Sequence, residues 1–280
     1  KCLNSLREHP PAIPMRVTLV DSGSPDGTPD MVEEEFPEVR LMRRSNIGFS
    51  AANNRVLQEA AEDQGPGMFL LLNPDTEVRP GTIDAAIDRL ESDPAIGMVG
   101  VRLVTADGAF DHAAKRSFPT PLSALAHFTG IGRSNGAPSG LTQYRATDLG
   151  EDEAGEVDAV NGAFMLVRGE AVRQVGPLDE GYWLYMEDLD WCRRFRLAGW
   201  KVFYEPAGSA LHVKGGSSPG RRGWRQEIAF HRGMGRFYRR FDAPDNPGAL
   251  NLAVYLGIAS KLLLSLAITA ISRRVASPNR

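Results

Sequence analysis

Arg16-Val17-Thr18-Leu19-Val20-Asp21-Ser22-Gly23-Ser24-Pro25-Asp26-Gly27-Thr28 decides the fold: an apolar run of strand length stops at a carboxylate and breaks into small, turn-forming residues. Val and Leu suit a buried pleated strand, and Gly and Pro end it. The same change of pattern recurs outward from this stretch. Strands are predicted at residues 16–20, 39–42, 68–72 and 97–101, alternating with helices at 29–35, 49–61 and 81–90; a helix at 2–8 precedes them. That alternation belongs to βαβ units and predicts an α/β protein with a mixed, mostly parallel central sheet flanked by helices. Ligands of such sheets bind beyond the carboxyl ends of the strands, so the residues after each strand are the functional candidates.

The 280 residues are 42% hydrophobic and 24% charged, enough apolar surface for a core and too much for a disordered chain. Cys2 and Cys192 fit neither a disulfide framework nor a cysteine zinc site, and imply a reducing compartment. A formal net charge of −3 excludes a globally basic nucleic-acid binder. The chain opens at Lys1 with no secretory signal pattern. Residues 130–156 read as a long loop, followed by a strand pair at 157–160 and 163–167, helices at 169–175 and 187–197, and a strand at 201–204.

The tail differs. Residues 219–248 crowd seven arginines among Trp224, Phe230, Phe237 and Tyr238, and residues 249–271 are almost wholly apolar. At 100° per residue, Asn251, Lys261, Ser265, Thr269 and Ser272 share one polar arc, which predicts a helix lying in a membrane interface, with basic and aromatic flanks suited to anionic headgroups. The alternative is a helix buried against the globular body or a partner. The predicted divisions are a catalytic domain at 1–218, a basic-aromatic segment at 219–248 and a membrane-associated helix at 249–280.

Three acidic constellations stand at strand ends. Asp21 with Ser22 and Gly23 can accept bonds from a base or ribose, or simply cap a turn. Asn73-Pro74-Asp75 ends the Leu70-Leu71-Leu72 run; a divalent cation on two phosphates needs only one or two protein oxygens, so Asp75 is the metal candidate. Glu187-Asp188-Leu189-Asp190 opens a helix, where carboxylates complement the dipole, yet crowding and burial also raise a carboxyl pKa toward that of a general base. Arg193 and Arg194 follow one turn later. His212 ends a strand before Gly215-Gly216-Ser217-Ser218, a loop suited to phosphate oxygens, whereas His9, His112, His127 and His231 read as structural or surface residues.

In this order these motifs resemble the family 2 glycosyltransferases of the GT-A fold, over roughly residues 1–240. The carriers are Asp21-Ser22-Gly23-Ser24, Ser45-Asn46-Ile47-Gly48-Phe49 with Ala52-Asn53, Asn73-Pro74-Asp75, Asn161-Gly162-Ala163, Gly176-Pro177-Leu178-Asp179-Glu180, Glu187-Asp188-Leu189-Asp190, Gly199-Trp200 and His212. The Asn-Gly-Ala and Glu-Asp-x-Asp segments are most similar to the rhamnosyltransferase-like branch. The resemblance implies that Asp21, Ser22, Asn46, Gly48, Asn53, Asn73 and Asp75 bind a nucleotide-sugar donor. It implies that Asp75 and His212 hold Mg²⁺ or Mn²⁺, and that Asp188, beside Glu187, is the base. Asn161, Gly162, Ala163, Trp183 and Arg193 are the expected acceptor contacts, with Tyr182 a second candidate for stacking on a sugar. It further implies an inverting transfer, with dTDP-rhamnose as expected donor and a polyprenyl-diphosphate-linked or other glycan acceptor at the cytoplasmic face of a bacterial inner membrane.

Two departures stand out: the family's opening strand is missing before the 2–8 helix, and Asn73 stands where many relatives carry Asp. Two competing readings are a nucleotidyltransferase, which predicts a Gly-rich, Lys-bearing phosphate loop absent from the first strand–helix turn, and an inactive membrane-bound scaffold.

Overall fold

A computed structural model describes residues 1–62, 67–119, 149–213 and 223–275. The elements, in chain order, are α1 (Cys2–Glu8), β1 (Thr18–Asp21), α2 (Thr28–Glu35), β2 (Arg40–Arg43), α3 (Phe49–Glu62), β3 (Met68–Leu72), β4 (Thr76–Val78) and α4 (Thr82–Ser92). Then come β5 (Ile96–Val104), β6 (Lys115–Arg116), β7 (Gly155–Glu156), β8 (Ala159–Val160), β9 (Phe164–Arg168), α5 (Gly169–Val175) and α6 (Glu187–Leu197). β10 (Lys201–His212), α7 (Trp224–Phe241), a 3-10 turn at Ala243–Asp245 and α8 (Gly248–Val275) complete the described chain.

The core is a six-stranded sheet ordered β3-β9-β5-β10-β4, with β7 also on β10. β5 is buried along nearly its whole length, which is why it reads as an apolar run with no polar face. α4 buries Ile83, Ala86, Ile87 and Leu90, the one-face spacing of an amphipathic helix. Gly100 in β5 lies beneath Val160: a Cβ there would fall 2.5 Å from the Val160 Cβ.

The mixed sheet is observed, but its parallel share is smaller than expected. β1–β2 and β5–β10 are parallel. The pairings β3–β9, β5–β9, β4–β10, β7–β10 and β6–β8 are antiparallel. A buried apolar run looks alike in either direction, so composition carries no strand polarity. The two strands predicted at 157–160 and 163–167 do not pair with each other: β8 joins β6, and β9 enters the main sheet between β3 and β5. The strand predicted at 201–204 continues to His212, because the turn-like Pro206-Ala207-Gly208 forms a register shift between Glu205 and Ser209 rather than an end. Of the loop expected at 130–156, residues 130–148 lie outside the described residues, and Gly155 and Glu156 form β7. β1 and β2 form a ribbon separate from the main sheet, and the facing edges of β1 and β3 line one cleft of about 2480 Å³.

Candidate active site

That cleft is where the predicted residues meet. Asp21, Ser22, Asn46, Gly48, Asn53, Asn73, Asp75, Asn161, Gly162, Trp183, Glu187, Asp188 and His212 all line it. Ala163 and Arg193 do not. Ala163 is fully buried, and its carbonyl accepts the Asn73 N–H at 3.1 Å, so it ties two site turns together. The Arg193 guanidinium stacks on Phe118, 4.7 Å from the ring centre. Tyr182 is also buried and donates its hydroxyl to Asp190 Oδ2 at 3.2 Å, so it plugs the core rather than offering a face to a sugar. Trp183, 39% exposed, retains that capacity.

At the end of β1, Asp21 spends its carboxylate on the turn that follows it: Oδ2 accepts the Gly23 N–H at 3.0 Å and Oδ1 the Ser24 N–H at 3.2 Å. The Asn46 side chain likewise accepts the Gly48 N–H at 3.2 Å, and Asn53 donates back to Phe49 O at 2.9 Å. Gly48 has φ +92° and lies against Trp183, where a Cβ would fall 2.6 Å from the indole. Phe49 N–H donates to Trp183 O at 2.9 Å, so the Asn46–Asn53 turn and the Trp183 loop are stitched together.

The metal candidates meet because β4 and the end of β10 run antiparallel, pairing His212 with Thr76 one residue beyond Asp75. His212 Nε2 lies 3.7 Å from Asp75 Oδ1. Asp75 Oδ1 and Asn73 Oδ1 are buried and accept no hydrogen bond, which is costly for oxygens unless a ligand satisfies them. Among the described residues, no group of three or more His, Cys, Asp or Glu could hold a metal. The arrangement instead fits a partial shell of one carboxylate, an amide oxygen and an imidazole, to be completed by phosphate oxygens and water, as a hard cation prefers. Sequence reasoning missed the group behind it: buried Asp111, whose Oδ2 lies 3.3 Å from His212 Nδ1 and whose Oδ1 accepts the Ala113 N–H at 2.9 Å.

Asp188 Oδ2 accepts from Arg116 Nη2 at 2.6 Å and from the Gly162 N–H at 3.3 Å, and Oδ1 accepts the Leu189 N–H at 2.8 Å. Arg116, also unforeseen, is anchored on Val160 O at 2.7 Å. A carboxylate offers about four acceptor sites, which leaves Asp188 room for one further proton donor. Glu187 is pushed up to about 8, first by burial and then by the Asp188 charge. Asp190, the third member of the cluster, is fully buried and structural, paired with Arg194 at 2.7 Å and Arg240 at 3.1 Å. The Gly215–Ser218 loop lies outside the described residues.

The family profile described as glycosyl transferase family 2 matches residues 1–144. The chain belongs to glycosyltransferase family 2. The N-acetylglucosaminyl-diphospho-decaprenol L-rhamnosyltransferase of Mycobacterium tuberculosis is 33% identical over 213 residues, 73% of this family 2 chain and 68% of the relative. Rhamnosyltransferase WbbL of Escherichia coli is 46% identical over 56 residues, 20% of this chain and 21% of that one. These relatives make it a rhamnosyltransferase-like member. Among solved structures, the mannosyltransferase PcManGT of Pyrobaculum calidifontis, in complex with GDP-Man and Mn²⁺, covers all of this chain and 71% of its own at 17% identity, with a TM-score of 0.56. GalNAc-T7 with UDP, GalNAc and Mn²⁺ covers 75% of this chain and 40% of its own at 13% identity, with a TM-score of 0.54. The fold is GT-A.

Proposed function

We propose that the chain is a metal-dependent, inverting rhamnosyltransferase that moves L-rhamnose from dTDP-rhamnose to a polyprenyl-diphosphate-linked or other cell-envelope glycan, at the cytoplasmic face of the inner membrane. One observation carries the reading: Asn73 and Asp75, each with a buried oxygen left without a partner, line with His212 the same cleft as Glu187 and Asp188, although Asp75 and Glu187 stand 112 positions apart in the chain. The mycobacterial relative's name supplies the sugar and a lipid-linked acceptor as the classes to test first.

In this reading Asp75 and His212, with Asn73 beside them, would hold Mg²⁺ or Mn²⁺, which would supply positive charge to the nucleoside diphosphate as it leaves. Asp111 accepts the Nδ1 proton of His212 and so leaves Nε2 free on the Asp75 side. The Asn46–Asn53 turn and Asp21 border the nucleotide. Asp188 takes the proton of the acceptor hydroxyl as its oxygen bonds to the anomeric carbon and the bond from that carbon to the diphosphate breaks, a single displacement that inverts the centre. Arg116 and the Gly162 N–H fix the carboxylate during this step. Trp183 offers its exposed indole to an acceptor ring.

Membrane attachment belongs to α8. Residues Gly248–Ala270 are long and apolar enough to cross a bilayer, and little of this stretch is buried. Of the polar arc, Asn251 is half-buried and donates to Ala243 O at 2.9 Å and Thr269 is buried, while Leu252, Leu256, Leu263 and Leu264 are exposed. A helix presenting its leucines suits lipid.

Asp188→Asn tests the chemistry. Turnover is expected to fall by about 10²-fold or more while the variant still binds a nucleoside diphosphate with Mn²⁺, since only the proton acceptor is removed. Turnover equal to the parent chain's would remove Asp188 from the mechanism.

A further inference from the structure

Among the described residues only two other than glycine have positive φ, and they are consecutive: Tyr185 at 69° and Met186 at 73°. Side chains in the left-handed region cost roughly 1 kcal/mol or more each. The pair stands directly before Glu187 and Asp188, with Met186 as the N-cap residue of α6. The helix that carries Asp188 therefore starts from a turn its own residues disfavour, and neighbouring structure has to hold that turn.

α7 is that neighbour, and it grips the segment from one face. Phe230 stands edge-on to the Tyr185 ring, 5.9 Å between centres at 84°. Gly233, one turn on, is buried against the strained pair: a Cβ there would lie 3.1 Å from Tyr185 O, 3.1 Å from Met186 Cγ and 3.3 Å from Met186 Cβ. One turn further, Arg236 bonds both carboxylate oxygens of Asp179 at 2.9 Å, and Arg240 bridges Asp179 at 2.9 Å and Asp190 at 3.1 Å. The contacts thus fall before, at and after the left-handed turn.

We propose that Gly233 is a positioning residue: having no side chain, it lets α7 lie on the Tyr185 carbonyl and hold the left-handed turn that aims Asp188 into the cleft. The proposal rests on the reading of Asp188 as the base. A methyl at 233 meets backbone oxygen, which cannot swing aside as a side-chain tip can, so the displacement passes into the Tyr185–Met186 peptide. Proton transfer is sensitive to displacements of this kind.

Gly235 lies on the same helix with nothing within 4 Å of its would-be Cβ, and so provides a matched control. Either glycine changed to alanine gains similar helix propensity, about 1 kcal/mol. The experiment compares Gly233→Ala with Gly235→Ala in the full chain. It reads kcat and KM for a nucleotide-sugar donor, affinity for dTDP with Mn²⁺, Tm, and amide hydrogen exchange across residues 183–190.

Gly233→Ala is expected to lower kcat about tenfold with dTDP affinity unchanged and to speed exchange across 183–190, whereas Gly235→Ala keeps the parent kcat and exchange. Equal kcat in the two variants overturns the proposal. So does a joint fall of kcat, dTDP affinity and Tm in Gly233→Ala, which is the mark of general structural damage. Exchange decides the clamp independently of Asp188: if Asp188→Asn turns over normally, the base assignment fails, while equal exchange in the two glycine variants removes the clamp itself.

Discussion

Glu187 holds a carboxyl group away from water beside the Asp188 charge, so in the folded chain it keeps its proton up to about 8, where its ordinary value is 4.5. Between those values the folded state binds a proton that the unfolded chain has released, so stability declines as pH rises through the window. Glu187→Gln preserves the neutral shape and removes the titration. Its Tm is expected to fall less steeply than the parent's between pH 5 and pH 8, and to be higher at pH 8; parallel calorimetric slopes would show that Glu187 does not retain its proton. Asp111 acts at the same scale on the other side of the cleft. Asp111→Ala removes the group facing His212 Nδ1 and is expected to weaken Mn²⁺ binding with dTDP by about 10- to 100-fold, read by titration calorimetry. Unchanged affinity would separate Asp111 from the metal's support.

At the scale of elements, helices were the more legible part. α1, α5 and α6 occupy the predicted spans, and α2, α3 and α4 differ from them by one or two residues, because one-face apolar spacing and turn residues mark a helix locally. Strand direction and partner were not legible. β9 sits between β3 and β5, and β10 runs through Pro206 and Gly208 to deliver His212, outcomes set by which edges are free when the sheet assembles. Gly100 shows how tightly those layers fit: Gly100→Ala, with its Cβ 2.5 Å from that of Val160, is expected to destabilise the fold by about 1–3 kcal/mol in urea titration. A midpoint matching the parent's would mean that β8 yields without cost.

At the scale of the whole molecule, the apolar α8 leaves the sheet-bearing body at a corner built by α7 and the 3-10 turn. Tyr238 donates its hydroxyl to Asn251 at 2.6 Å, its ring stands edge-on to Tyr255, and Asn251 in turn caps the 3-10 turn at Ala243. Removing residues 249–280 is expected to abolish co-sedimentation with anionic vesicles; a truncated chain that still sediments would move the attachment to the arginines of α7. The segment between α5 and α6 is held by charge as well as packing, since Arg236 and Arg240 tie α7 to Asp179 and Asp190. Local chemistry in the sequence determined the family, the helices and most of the residues that border the cleft, because strand ends, turn glycines and carboxylate runs are read over a few neighbours. Only the tertiary structure decided that Asp111 backs His212 and that Arg116 engages Asp188, pairs 101 and 72 positions apart. It also turned Arg193, Tyr182 and Ala163 away from the cleft. A bond between distant residues leaves no period along the chain, and the face a side chain takes is settled by what packs against it.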